Sequence, residues 1–89
     1  MTYEEFLSAR IRTARVDAGF TSQEKLAREM GLTSGAVGLW ERAKTLPSVV
    51  HLWCLVQITK KPLEFFFPDA EIAKKLTEVL FRAHLSPAA

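Results

Sequence analysis

Apolar residues recur three or four positions apart along nearly the whole chain, and no stretch alternates apolar and polar residues long enough for a strand, so the pattern predicts an all-α protein. A first helix is expected from Thr2 to Ala18, with Phe6, Leu7, Ile11, Ala14 and Ala18 on one face and Gly19 as a left-handed stop. Thr21 or Ser22 then caps a second helix, and Thr21-Ser22-Gln23-Glu24 fits a capping box. The segment from Gln23 to Met30 turns Leu26, Ala27 and Met30 inward, and Gly31 ends it. Thr33 is the natural cap of a third helix, Ser34 to about Arg42, with Val37 and Trp40 at buried spacing.

After a loop containing Pro47, Ser48 caps a fourth helix to about Thr59. Its residues Val49, Val50, Leu52, Trp53, Cys54, Leu55, Val56 and Ile58 are apolar almost all round, which predicts the central and most buried element. Pro62 is suited to the first position of a short helix carrying Leu63 and Phe65 to Phe67, closed by Pro68. Asp69 caps a last amphipathic helix, Ala70 to about Leu85, with the stripe Ile72, Leu76, Val79, Leu80 and Ala83. The expected seam falls at Pro68, dividing residues 1–68 from a C-terminal helix in residues 69–89.

With 89 residues the chain has room for one small core, and 48% apolar residues exclude a disordered chain. The net charge is only +2 and neither half holds the excess, so an anion-binding surface has to come from local geometry rather than from a basic block. Cys54 is the single cysteine, expected as a small buried hydrophobe, and forms no internal disulfide. His51 and Cys54 stand three apart, but structural zinc needs four ligands and no further ligand lies near, so no metal is expected. The acidic start Met1-Thr2-Tyr3-Glu4-Glu5 lacks the basic and apolar regions of a signal peptide, and the longest uncharged run is too short for a bilayer, which places the chain in the cytoplasm. A Gly-rich phosphate loop, a local nucleophile-base pair and an apolar carboxylate pair are all missing, so neither catalysis nor a cofactor is expected.

The spacing around Gly31 fits two helices crossing sharply through a short turn. At this point the chain resembles the Xre/Cro family of helix-turn-helix DNA-binding regulators, over about Phe6 to Phe67. Gln23 opening the second helix, small Ala27 at the crossing, Gly31 in the turn, and Val37 and Trp40 as anchors carry the likeness. Ile11 to Arg15, Trp40-Glu41-Arg42, and Pro47-Ser48 through Leu63-Glu64-Phe65-Phe66 extend it.

The resemblance implies a lambda-repressor-like bundle of five helices plus the C-terminal helix, with the third helix in the major groove. It places Thr33, Ser34, Gly35, Gly38, Leu39 and Arg42 against base edges and adjacent phosphates, with Arg42 the first side chain on the helix suited to a bidentate base contact, and Arg42 and Lys44 where the following loop meets backbone phosphates. Gln23 is expected to donate to a phosphate and brace Ser34, and Arg15 and Glu41 to form a structural ion pair. Gly35 and Gly38 offer no side chain to a base, which predicts modest direct readout and more reliance on DNA shape. Ala43 stands where the family commonly has glycine. Three successive phenylalanines and the pair Phe81 and Leu85 exceed what one small core needs. Phe67, Ile72, Leu76, Val79 and Leu80 are therefore expected to form a homodimer interface. The partners expected are double-stranded DNA and a second copy. The alternatives are an interaction module whose Gly-rich third helix packs on another protein, and an antitoxin combining DNA and protein binding.

Overall fold

The computed structural model describes residues 1–80 and 82. Its elements are all helical: α1 (Tyr3–Asp17), α2 (Gln23–Met30), α3 (Ser34–Glu41), α4 (Val49–Thr59), a 3-10 turn (Leu63–Phe66) and α5 (Ala70–Leu80). Phe81, Ala83, His84 and Leu85, expected in the last helix, lie outside the described residues, and of Leu80 only the backbone is described.

Local chemistry sets most of the helix ends. Thr2 and Glu5 form a reciprocal capping box at the start of α1, and the two Thr2 bonds hold the Glu5 carboxyl below its ordinary range. Ser22, rather than Thr21, caps α2 by accepting from the Lys25 N–H. The predicted box there does not form, because Lys25 and not Glu24 occupies the third helical position. Ser48 caps α4 through the His51 N–H, and Asp69 caps α5 through the Glu71 N–H. Pro62 lies just before the 3-10 turn, with extended backbone, rather than inside it.

Three helices end in the same way. The N–H groups of Phe20, Leu32 and Lys44 reach back to the carbonyls of Arg15, Ala27 and Leu39. Gly19, Gly31 and Ala43 precede them and close the inner bonds, to Val16, Arg28 and Trp40. Each of the three adopts positive φ, at 89°, 70° and 59°. Ala43 thus performs a glycine's task with a Cβ that disfavours this conformation. Ala43→Gly is expected to stabilise the protein by about 1 kcal/mol, read as a higher urea midpoint at unchanged slope. An unchanged midpoint would place no strain at this turn.

The core joins every element: Leu7, Ile11 and Ala14 from α1, Leu26 and Ala27 from α2, Val37 and Trp40 from α3, Leu52 and Leu55 from α4, Leu63 and Phe66 from the 3-10 turn, and Ala73 from α5. Fully buried Ala73 puts α5 on the same core as the preceding residues, across the expected seam at Pro68. Tyr3 binds the turn to α1, donating its hydroxyl to the Phe66 carbonyl at 3.0 Å and stacking on Phe67. Burial pushes the Tyr3 phenol up to about 12, so the hydroxyl remains a donor through the neutral range. Arg10 completes this contact, its guanidinium lying over both Phe6 and Phe65.

Three sequence expectations need correction. Helix α4 is not the central element, because it buries only Leu52, Leu55 and Thr59, while Val49 and Val50 are about half exposed and Cys54 is half-buried. The space it was expected to fill is taken by α1, α2, α3 and the 3-10 turn. Ala18 is exposed and Phe6 half-buried, since α1 turns Leu7, Ile11, Ala14 and Arg15 inward instead. In α5 the inward side is Ala73 with Leu76, which leaves Ile72 and Val79 of the predicted stripe exposed. Small Ala73 permits the close approach that sets this rotation.

Candidate nucleic-acid interface

Helices α2 and α3 pack against each other across the turn Gly31-Leu32-Thr33. Left-handed Gly31 reverses the chain, and the Leu32 N–H bonds to the Ala27 carbonyl at 2.8 Å, fixing how α3 leaves α2. Val37 and Trp40 then anchor α3 in the core. Thr33 has the extended backbone of a cap but makes no side-chain capping bond.

A buried polar network locks α3 to the rest. Glu41, at 4% exposure, accepts two bonds from the Arg15 guanidinium, Nε to Oε2 at 2.7 Å and Nη2 to Oε1 at 3.2 Å. Arg15 is itself buried, and its remaining nitrogen Nη1 donates to the Phe20 carbonyl. This fork-on-carboxylate geometry supplies both charge and direction. Two further donors converge on Glu41. Gln23 Nε2 reaches Oε1 at 3.2 Å, and Arg12 reaches Oε1 at 3.4 Å and the Glu41 carbonyl at 3.3 Å. One carboxylate thereby connects α1, α2 and α3. The family resemblance pointed to Arg15 and gave no role to Arg12, whose partner is 29 residues away. Its place three residues before Arg15, on the same side of α1, was the available signal.

The expected DNA-facing residues fall into two groups. Thr33, Ser34, Gly35, Leu39, Arg42 and Lys44 are all exposed, forming one outer surface along α3 and the turn that follows. Gly38 is a correction, since it is buried rather than outward. A Cβ built on it would lie 3.0 Å from Arg42 Nη1 and 3.1 Å from Gln23 Oε1, so these two side chains cover it. Gln23 departs from expectation as well. Its amide nitrogen is turned inward to Glu41, not toward Ser34 or the outer surface.

The expected interface residues divide similarly. Ile72 and Val79 are exposed at 50% and 57%, whereas Leu76 packs on the chain's own core and Phe67 is half-buried against Tyr3. Other exposed apolar side chains are Leu39 and Leu46, along with Val49 and Val50 at the start of α4. His51 lies half-buried near Trp40, at 5.7 Å between ring centroids. Lys61 pairs with Asp17 at 3.0 Å over the Phe65 ring, while Lys60 is exposed in the left-handed turn that ends α4. Among the described residues no helix is long and apolar enough to cross a membrane, and no group of three acidic, histidine or cysteine residues is placed to hold a metal.

No family model, no curated protein and no solved structure matches this chain.

Proposed function

We propose that the protein is a sequence-specific DNA-binding regulator of the helix-turn-helix kind, with a lambda-repressor-like arrangement of its helices, acting as a homodimer on a palindromic operator. The observation that carries this reading is the Glu41 network. It consumes a buried ion pair and two further donors to fix α3 rigidly against α1 and α2, while leaving Ser34, Gly35, Leu39 and Arg42 free on the outside. A helix held this firmly and left uncovered on its far side is suited to entering a major groove as a preformed unit. Small Ser34 and Gly35 at its N-terminal end allow a close approach to base edges, and exposed Arg42 and Lys44 at the other end supply cations for the DNA.

Exposed Ile72 and Val79 on α5 favour self-association through that helix, with Leu76 and Phe67 supporting it from the core side. Two copies related by a twofold axis would present their α3 helices about 34 Å apart, one turn of DNA. As a regulator the dimer would act by occluding the operator.

A salt titration tests this reading. Binding to a mixed-sequence duplex is expected to weaken linearly in log Kd against log salt, with a slope of about 0.9 per phosphate contacted. A dimer holding a phosphate with Lys44 of each copy therefore gives a slope of at least about 2. Affinity independent of salt, or no binding at low salt, contradicts the proposal. The second reading is a protein-interaction module, favoured by exposed Leu39, Leu46, Val49 and Val50 beside and beyond α3. Absence of DNA binding together with salt-insensitive protein association would favour it, whereas DNA binding combined with a protein partner would favour the antitoxin.

A further inference from the structure

On a helix, side chains point back toward the N-terminus, so a residue lies over the position four before it. Arg42 therefore lies over Gly38. Ordinarily a Cβ and side chain at that position would keep the arginine out, away from the helix surface. Here Gly38 leaves a notch, and the guanidinium settles into it, with Nη1 3.0 Å and Cζ 3.7 Å from the site of the missing Cβ. The charge is thus carried back about one turn, from beyond the C-terminal end of α3 to its middle.

Gln23 forms the other wall of the notch. Glu41 can only accept, so the Gln23 amide must turn its nitrogen to Glu41, and it does so at 3.2 Å. Its oxygen consequently faces Gly38, 3.1 Å from the missing Cβ. An acceptor in that place suits a cation and repels a phosphate. On the same outer surface Ser34, Gly35 and Leu39 offer no pair of parallel donors, and Gly35 faces open space apart from Thr33 Oγ1 at 3.8 Å. Arg42 is the one side chain here with the fork that fits the O6 and N7 acceptors of guanine.

We propose that Gly38 is a positioning residue for Arg42, and that Arg42, laid along the middle of α3, reads a guanine in each operator half-site rather than bonding a flanking phosphate. This inference rests on the DNA-binding reading above. It also revises the expectation of modest direct readout, since the glycine that contributes no contact itself admits the arginine that does.

The test compares wild type, Arg42→Ala, Arg42→Lys and Gly38→Ala on the selected operator and on duplexes with each base pair replaced in turn. Wild type is expected to disfavour loss of one G·C pair per half-site by roughly ten- to a hundredfold. Arg42→Ala should lose that preference and keep the others, Arg42→Lys should weaken it, and both variants should retain the salt slope of wild type. Gly38→Ala should lose the same preference, and combining it with Arg42→Ala should cost nothing more at that position. Its nearest neighbour is the far end of the long Arg42 side chain, the Gln23 amide oxygen at 3.1 Å has to give by a few tenths of an ångström, and alanine favours helix, so Gly38→Ala should melt near the wild-type temperature. Impaired folding is thereby separated from lost reading.

A uniform loss of affinity on all sequences in Arg42→Ala, with a shallower salt slope, would make Arg42 a phosphate contact and overturn the inference while leaving DNA binding intact. Retention of the guanine preference in Gly38→Ala would overturn the positioning role. A wild type that binds no duplex would remove this inference and the reading beneath it together.

Discussion

Glu41→Ala is expected to lower the unfolding free energy by about 3–5 kcal/mol, a large part of what a domain of this size has. The reason is what the substitution leaves behind. Arg15 stays buried, with the side chain only 10% exposed, and its Nε and Nη2 lose both acceptors while Nη1 alone keeps the Phe20 carbonyl. An unpaired buried guanidinium carries a desolvation cost that the intact pair offsets. Arg12→Ala provides the contrast. Its side chain is 59% exposed, and removing it should cost below about 1 kcal/mol. Urea denaturation of both variants measures the difference. Equal and small losses would mean that Glu41 does not hold α3 in place, and the structural basis for a preformed recognition helix would fall with it.

Phe66→Ala is expected to cost about 3–5 kcal/mol by a different route. Phe66 is fully buried and the largest such side chain in the core, in edge contact with Phe65 and directly under the Tyr3 hydroxyl bond to its own carbonyl. The 3-10 turn that carries it is the element on which α5 packs. Truncation thus opens a cavity at the joint between α1, the turn and α5. Val50→Ala, at a position 53% exposed, should stay within about 0.5 kcal/mol of wild type. Calorimetry on the two variants compares them, and a loss below about 1 kcal/mol in Phe66→Ala would show that this joint repacks freely.

These two positions show what the sequence could and could not convey. The bounds of α2, the left-handed turn at Gly31 and the caps at Ser48 and Asp69 follow from local residue chemistry, and each lies in the structure where that chemistry placed it. The Arg15 and Glu41 pair was legible only through a family resemblance, because nothing local joins residues 26 apart. Helix α4 misled for a definable reason. A helix apolar on every side carries no signal for which face is covered, and in a chain of this size the core was already supplied by its neighbours. Gly38 gave no hydropathy signal at all. Its burial comes from the side chains of Arg42 and Gln23, one from the next turn and one from another helix, and only the folded arrangement brings them over it. In α5 the apolar stripe included Ile72 and Val79, which face outward, and omitted Ala73, which faces inward with Leu76; the two sides could be separated only once the packing against the 3-10 turn was known.

Selection of bound duplexes from a random DNA pool by the whole protein tests the proposed DNA binding directly. A dimer that presents two α3 helices across a twofold axis should enrich an inverted repeat whose half-sites lie about 10 base pairs apart from centre to centre. Bound DNA with no enriched sequence, or no bound DNA at all, would contradict the proposal.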